Sequence, residues 1–145
     1  MKRMAMLGVG AVTVFLLGLT GCANKKSSAK ESTSGLQRIH FDFDQSNIKS
    51  NFEPVLRNNA AWAQSHNNKK IVIEGHCDNR GSVEYNIALG DRRAQSAKNY
   101  LTNLGVTSNR LSTISYGEER GMQQCSESAD DSCHWQNRRA EFVAR

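Results

Sequence analysis

The sequence is too short, and its basic charge too localised, for several large classes of protein. It has 145 residues, too few for a large multidomain enzyme, and a single proline, Pro54. Its net charge is +5, but the basic residues before position 31 carry nearly all of that surplus. Residues from 36 onward are nearly neutral and offer no general attraction for a phosphate polymer. We therefore expect no nucleic-acid partner.

The sequence also lacks a recognisable catalytic set. A hydrolase needs a paired acid and base, a nucleophile with its base, or a zinc site, and the scattered candidates form none of these. The side chains of the dipeptides His76-Cys77 and Cys133-His134 diverge, and the cysteine spacings match no zinc pattern. We expect no catalytic residue, no metal and no cofactor, so a binding module is the simplest interpretation.

The one apolar run is too short to cross a bilayer comfortably. It extends over about 16 residues from Met4 to Leu19, behind Lys2 and Arg3, whereas a spanning helix needs about 20. A positive start followed by such a run is typical of a secretory signal peptide, with a membrane anchor as the alternative. We expect residues 1–21 to be a signal peptide.

The end of this run, Leu19-Thr20-Gly21-Cys22, resembles the lipobox of bacterial lipoproteins. The resemblance implies cleavage before Cys22 and lipid on its thiol, and two or three acyl chains would anchor the protein stably. Lipoproteins retained in the inner membrane tend to have aspartate next, whereas this chain has Ala23. The resemblance therefore implies the periplasmic side of the outer membrane.

Residues 23–35 contain no large apolar side chain. They cannot bury enough surface to offset the entropy of ordering, so we expect a flexible segment. We predict a lipidated cysteine and tether over residues 22–35 and a globular domain over residues 36–145.

The globular domain alternates strand-like and helix-like segments. Residues 38–43 alternate strictly, which predicts that Ile39, Phe41 and Phe43 share the buried face of a strand. The predicted order is strand 38–43, helix 50–66, strand 70–75, helix 82–104, strand 111–116 and, after a polar excursion over 117–134, strand 139–143. This βαβαββ order predicts an α/β two-layer sandwich with both helices on one face of a mixed sheet.

Five short motifs within this domain carry a resemblance to a known family. They are FDFD at 41–44, EGHxDxRG at 74–81, YNxxLxxxRA at 85–94, SYG at 115–117 and NRR at 137–139. Together they resemble the C-terminal peptidoglycan-binding domain of the OmpA family, and the match covers essentially all of residues 39–143.

The resemblance implies a site for diaminopimelate, a residue of the peptidoglycan stem peptide. In the family, the positions that match Asp78 and Arg93 hold its ammonium and its carboxylate. A carboxylate and a guanidinium side by side suit a zwitterion of this kind. The alternative is an intramolecular salt bridge between Asp78 and Arg93.

The resemblance implies further residues in or beside this pocket. Asp44 and Asn47 lie in the loop after the first strand, although Asp44 is equally a candidate helix cap. The other matching positions are Arg80, Asn86, Asn137 and Arg138. Arg138 and Arg139 point to opposite faces of a strand, so at most one of them faces the ligand. Tyr85 is expected to be a core residue.

The three cysteines of the domain allow three pairings. Cys125 and Cys133 flank a loop rich in serine and aspartate, so we expect a disulfide between them in the oxidising periplasm. Cys77 is then left over, at a position where the family usually has a small residue. We expect it to be a small buried side chain, with oxidation or ligand contact as alternatives.

The resemblance implies an outer-membrane lipoprotein that binds the diaminopimelate-containing stem peptide without catalysis and fixes the membrane to the cell wall. It also implies a periplasmic protein partner, TolB. The alternative is a lipoprotein that docks a periplasmic protein and does not bind the wall directly.

Overall fold

The computed structural model describes residues 35–145. The predicted signal peptide, the predicted lipidation site Cys22 and the predicted tether up to residue 34 lie outside the described residues. Within the described part of the chain, no helix is long and apolar enough to cross a membrane.

The domain is built on a four-stranded mixed sheet. Its strands are β1 (Ile39–His40), β2 (Ile71–His76), β3 (Leu111–Gly117) and β4 (Arg139–Ala144), in the order β1-β4-β2-β3. β2 and β3 run parallel, while β4 is antiparallel to both β1 and β2. The sequence therefore predicted the mixed sheet correctly.

The helices begin and end close to the predicted positions. They are α1 (Glu53–Ser65), α2 (Val83–Asn103) and a short α3 (Asp131–His134). Ser82 caps α2 by accepting a hydrogen bond from the backbone N–H of Tyr85. Gly105, at a φ of 92°, follows its C-terminus. Only α3, within the polar excursion, was not predicted.

The core lies between the helices and one face of the sheet. Ile71 and Ile73 of β2 are fully buried against the helices, while Val72 and Glu74 on the opposite face are partly exposed. The main contributors from the other elements are Leu56, Ala60, Ala94, Leu101, Ala140 and Phe142. Burial of each large apolar side chain stabilises the fold by about 1.5–3 kcal/mol. These side chains lie between the helices and one face of the sheet, which is the predicted two-layer arrangement.

Two glycines let α2 lie directly against β2. A Cβ on Gly75 would lie 1.8 Å from the carbonyl oxygen of Gly90, and a Cβ on Gly90 would lie 2.3 Å from Oγ of Ser115. Neither position has room for a side chain. This close contact brings the N-terminal half of α2 next to the C-terminal end of β2, where the candidate site lies.

The chain enters the domain beside α1. Gly35 lies against the Trp62 ring, and the next residue, Leu36, is buried. The buried amide of Asn59 accepts from the Gln37 N–H at 2.9 Å and donates to the Gln37 carbonyl at 2.7 Å. These two bonds fix the entering segment to the C-terminal half of α1, away from the C-terminal end of β2.

The first strand is shorter than the alternation predicts. Phe41 is buried, and its N–H donates to the Arg138 carbonyl at 2.9 Å. The chain then turns at Asp44, which has a φ of 54°. The prediction that Phe43 packs in the core is therefore wrong, since this side chain is 55% exposed.

Candidate functional site

A cavity of about 200 Å³ opens where β2 ends and α2 begins. Its lining residues are Phe43, Asp44, Cys77, Asp78, Arg80, Gly81, Tyr85, Asn86, Leu89, Arg93 and Arg138. Six of the eight predicted ligand-binding residues therefore meet here. Asn47 is exposed on the same loop as Asp44 but does not line the cavity, and Asn137 lines a neighbouring cavity.

Asp78 is 4% exposed and bonded to two guanidinium groups. Its Oδ2 accepts from Nη2 of Arg80 at 2.6 Å and from Nη1 of Arg138 at 3.2 Å, and its Oδ1 accepts from Nε of Arg80 at 3.2 Å. Burial alone would raise the pKa of Asp78, but the hydrogen bonds from Arg80 and Arg138 outweigh it and hold the pKa below its usual value. Asp78 is therefore ionised at neutral pH, and its ion-pair partners are Arg80 and Arg138.

Arg93 is fully buried and held by three backbone carbonyls, two in the loop after β1 and one at the end of β2. Its Nε donates to the Gln45 carbonyl at 2.8 Å, Nη1 to the His76 carbonyl at 2.8 Å and Nη2 to the Asp42 carbonyl at 3.2 Å. A guanidinium has five N–H donors, and these three bonds use three of them. Burial lowers the pKa of Arg93, but an arginine starts so high that the group stays charged.

Arg138 completes the buried set. It is 4% exposed, donates from Nε to the Phe41 carbonyl at 3.1 Å and makes a two-pronged ion pair with Asp131 at 2.7 and 2.9 Å. Arg139 turns to the opposite face and donates to Glu141 at 2.6 Å, as the strand alternation predicts. We call Asp78, Arg93 and Arg138 the cavity floor.

The entrance of the cavity is formed by exposed side chains. Phe43 is 55% and Tyr85 45% exposed, and the Arg80 guanidinium lies 4.2 Å from the centre of the Phe43 ring. The Tyr85 hydroxyl donates to Asp44, which leaves Asp44 as a partner of Tyr85 and not a helix cap. The prediction that Tyr85 is a core residue is wrong. We call Phe43, Asp44, Arg80 and Tyr85 the cavity rim.

Asn86 and Cys77 connect the floor to neighbouring segments. Nδ2 of Asn86 donates to the Asp78 carbonyl at 3.2 Å and to Oε2 of Glu118 at 2.5 Å, which ties α2 to the loop after β3. Cys77 is buried, and its Sγ donates to the Asn86 carbonyl at 3.2 Å. Burial is the main cause that raises the pKa of Cys77 to about 11, so the thiol is protonated and unreactive at neutral pH.

The cavity as a whole presents charges of both signs. The carboxylates of Asp44 and Asp78 lie with the guanidinium groups of Arg80, Arg93 and Arg138 around one small volume. Such an arrangement can bind a ligand that carries an ammonium and a carboxylate close together. Within the residues that the structure describes, no group of three or more histidine, cysteine, aspartate or glutamate residues could hold a metal ion.

The polar excursion beside the cavity is cross-linked. Cys125 and Cys133 are joined by a disulfide, and Cys77 is the free cysteine among the described residues. The disulfide closes the segment between β3 and α3, next to Asp131 and the floor.

Comparison with known proteins defines the class of this chain. Residues 40–133 match the model of the OmpA family, and the chain belongs to that family. It is 40% identical to the peptidoglycan-associated lipoprotein of Mesorhizobium japonicum, over 97% of this chain and 95% of that protein. It is also 36% identical to the protein of the same name from Pasteurella multocida, over 97% of each chain.

Solved structures agree with this assignment. The peptidoglycan-associated lipoprotein of Burkholderia pseudomallei matches with a TM-score of 0.69 and 33% identity, over 74% of this chain and 89% of that chain. The C-terminal domain of Helicobacter pylori MotB matches with a TM-score of 0.67 and 20% identity, over 77% of this chain and 85% of that chain. The second likeness shows the fold alone.

Proposed function

We propose that this protein is an outer-membrane lipoprotein that binds the diaminopimelate-containing stem peptide of peptidoglycan without catalysis. The observation that carries the proposal is the small cavity that combines an ionised aspartate with three guanidinium groups. The names of the 36–40% identical relatives support it, because each is called a peptidoglycan-associated lipoprotein.

The ligand ammonium binds Asp78 and displaces Arg80. The two oxygens of Asp78 accept four hydrogen bonds, one of them from the Arg80 backbone N–H at 3.2 Å, so one bond must be released. Arg80 is 28% exposed, whereas Arg138 is 4% exposed and bonded to both Asp131 and the Phe41 carbonyl. Arg80 is therefore the partner that moves.

The ligand carboxylate binds the Arg93 guanidinium, which lines the cavity, and the released guanidinium of Arg80. These interactions explain a preference for diaminopimelate over lysine, because the lysine side chain carries an ammonium with no carboxylate on the same carbon. A bound lysine would displace Arg80 without offering it a new partner, and the buried charge of Arg93 would gain nothing.

The anchored state multiplies weak binding. A lipid on Cys22 and a tether over residues 22–35 would hold many copies beside one polymer, so modest affinity at each cavity sums to firm attachment. The proposed role is that of the Tol-Pal system, in which the protein links outer membrane and cell wall, supports envelope integrity and cell division, and also binds TolB.

A second candidate is docking of a periplasmic protein without direct wall binding. The observation that favours it is the exposure of Phe43 and Tyr85 at the cavity entrance, together with exposed Val83 and Ile87 in the first half of α2. A surface of this kind is typical of a protein interface.

The test is calorimetry on the full chain in detergent with two stem peptides that differ only in diaminopimelate or lysine. We expect about tenfold or greater preference for the diaminopimelate peptide, and loss of that preference in Asp78→Asn. The matched control is Asp91→Asn, an exposed aspartate of α2 outside the cavity lining. Equal affinity for both peptides, or an unaffected Asp78→Asn variant, would overturn the proposal and favour protein docking.

A further inference from the structure

A second cavity, of about 290 Å³, lies beside the candidate site. Its wall comes from the end of β2, the loop after β3 and the residue before Arg138. The side chains that give it its character are Asn79, Glu118, Glu119, Gln123, Gln124 and Asn137. Nothing in the proposed diaminopimelate site uses this cavity.

The wall of the second cavity is held in place before any ligand arrives. Asn137 accepts from the Gln123 N–H at 3.0 Å and donates to the Gln123 carbonyl at 2.7 Å. Asn79 donates to the Cys125 carbonyl at 2.8 Å, and the disulfide to Cys133 fixes that residue again. A preformed wall lowers the entropic cost of binding, because little has to be ordered when the ligand enters.

The two cavities share a wall. Asn79 follows Asp78 and Asn137 precedes Arg138, so each cavity takes one of two adjacent side chains from the same segments. Asn86 spans the boundary, since its Nδ2 donates both to the Asp78 carbonyl and to Glu118. A ligand larger than one amino acid can therefore occupy both cavities at once.

The chemistry of the second cavity differs from that of the first. Four amide side chains and two carboxylates line it, and no lysine or arginine does. The carboxylates repel anionic groups, while amides and carboxylates together suit hydroxyl and acetamido groups. This is the chemistry of a neutral, N-acetylated sugar, and the glycan of peptidoglycan is such a polymer.

We infer that the second cavity binds an N-acetylated sugar ring of the same polymer whose stem peptide enters the first cavity. The inference rests on the proposed function, because the sugar reaches the second cavity only when the stem peptide is bound. With both cavities occupied, the protein binds the peptide and the glycan of the same polymer.

The experiment compares three ligands on the full chain in detergent by calorimetry. They are the diaminopimelate stem peptide alone, the same peptide carrying its N-acetylglucosaminyl-N-acetylmuramic acid disaccharide, and a cross-linked dimer of the stem peptide without sugar. We expect the disaccharide to increase affinity by about fivefold to tenfold, which corresponds to one or two additional hydrogen bonds. The sugar-free dimer should bind like the single peptide.

Two variants test whether the second cavity causes the increase in affinity. In Glu119→Gln combined with Gln124→Ala, the affinity for the disaccharide compound should fall to that for the peptide, while affinity for the peptide itself is unchanged. Glu127→Gln, an exposed carboxylate of the same loop outside the cavity lining, serves as the control and should keep the gain.

The outcomes separate this inference from the proposed function. Equal affinity for the peptide with and without sugar overturns the inference and leaves the proposed function standing. A gain with the sugar-free dimer also overturns it, since the cavity would then bind a second ammonium. No binding of the stem peptide at all overturns the proposed function itself.

Discussion

The cavity floor and the cavity rim differ in the burial of their side chains and in the partners that hold them. Asp78, Arg93 and Arg138 of the floor are at most 4% exposed, and Arg93 and Arg138 donate to backbone carbonyls. Of the rim, Phe43, Asp44 and Tyr85 are exposed, and Tyr85 bonds to Asp44. Arg80 is half-buried, stacks on Phe43 and pairs with Asp78. The floor therefore belongs to the fold, whereas the rim can rearrange without disturbing it.

This difference separates stability from binding. Substitutions in the floor can change folding as well as binding, so the affinity of a floor variant such as Asp78→Asn is interpreted together with its free energy of unfolding. Substitutions in the rim leave folding intact and report on the ligand alone. Arg80 belongs to both, because it is a half-buried rim residue that pairs with a floor carboxylate.

The largest effect is expected at the glycine contact that supports the floor. In Gly75→Ala the new Cβ would lie 1.8 Å from the Gly90 carbonyl oxygen, so β2 and α2 must separate. We expect a loss of about 4 kcal/mol in the free energy of unfolding, or failure to fold, measured by urea denaturation. Ser112→Ala, on the exposed side of β3, is the control, and similar losses in both variants would contradict this account of the contact.

The next largest effect is expected at Arg93. Arg93→Ala leaves three backbone carbonyls without their donor and opens space beside the floor. We expect a loss of about 3 kcal/mol in the free energy of unfolding. Its neighbour Arg92 is exposed, so Arg92→Ala should change stability by no more than about 0.5 kcal/mol. If the two variants had equal stability, the backbone bonds of Arg93 would not be structural.

A smaller, pH-dependent effect is expected beside the floor. Burial is the main cause that lowers the pKa of His76 to about 4 from the usual 6.5, with Arg139 as the next contributor. The unfolded chain therefore binds the proton first as pH falls, so stability decreases between about pH 6.5 and pH 4. His40, whose pKa burial also lowers to about 4, adds to the same window.

The Asp78 pKa is lowered too, which places its effect at more acidic pH. The contribution of Asp78 to stability is complete above the unfolded pKa near 3.9 and is lost as pH falls through the lower folded pKa.

The test of the histidine effect is urea unfolding from neutral to acidic pH. The free energy of unfolding should fall less steeply for His76→Phe between about pH 6.5 and pH 4, and only there. Parallel curves for the variant and the native chain would exclude His76 as a source.

The smallest effect on stability is expected at the rim. Phe43 is 55% exposed, so Phe43→Ala should change the free energy of unfolding by no more than about 0.5 kcal/mol. It removes the ring over which Arg80 stacks, so affinity for the diaminopimelate peptide should change about twofold to threefold. A stability loss comparable to that of Arg93→Ala would show that rim and floor are one unit.

The sequence predicted the elements whose signals are local. The boundaries of α2 lie within one residue of the predicted helix 82–104, since Ser82 caps its start and Gly105 follows its end. The opposite directions of Arg138 and Arg139 follow from strand alternation, which needs no knowledge of the partner strand. Of the residues that the family motifs predicted, six line one cavity.

The errors come from contacts that local patterns do not contain. The alternation of residues 38–43 continues through Phe43, but the turn at Asp44 takes Phe43 out of the sheet. Tyr85 looks like a core residue, yet its hydroxyl partner, Asp44, lies 41 positions earlier in the loop after β1. The network of Asp78 with Arg80, Arg138 and Asp131 likewise joins segments whose proximity only the folded chain reveals.

The entry of the chain beside α1 has a mechanical consequence if, as proposed, the protein is anchored at its N-terminus and bound to a polymer. Tension would enter at Gly35, near the C-terminal end of α1, and leave through the cavity beyond the opposite end of β2. β1 has only two residues and would peel easily by itself. The paired hydrogen bonds of Asn59 to Gln37 must break together before tension reaches β1. The buried amide of Asn59 therefore protects β1 from force applied through the proposed anchor.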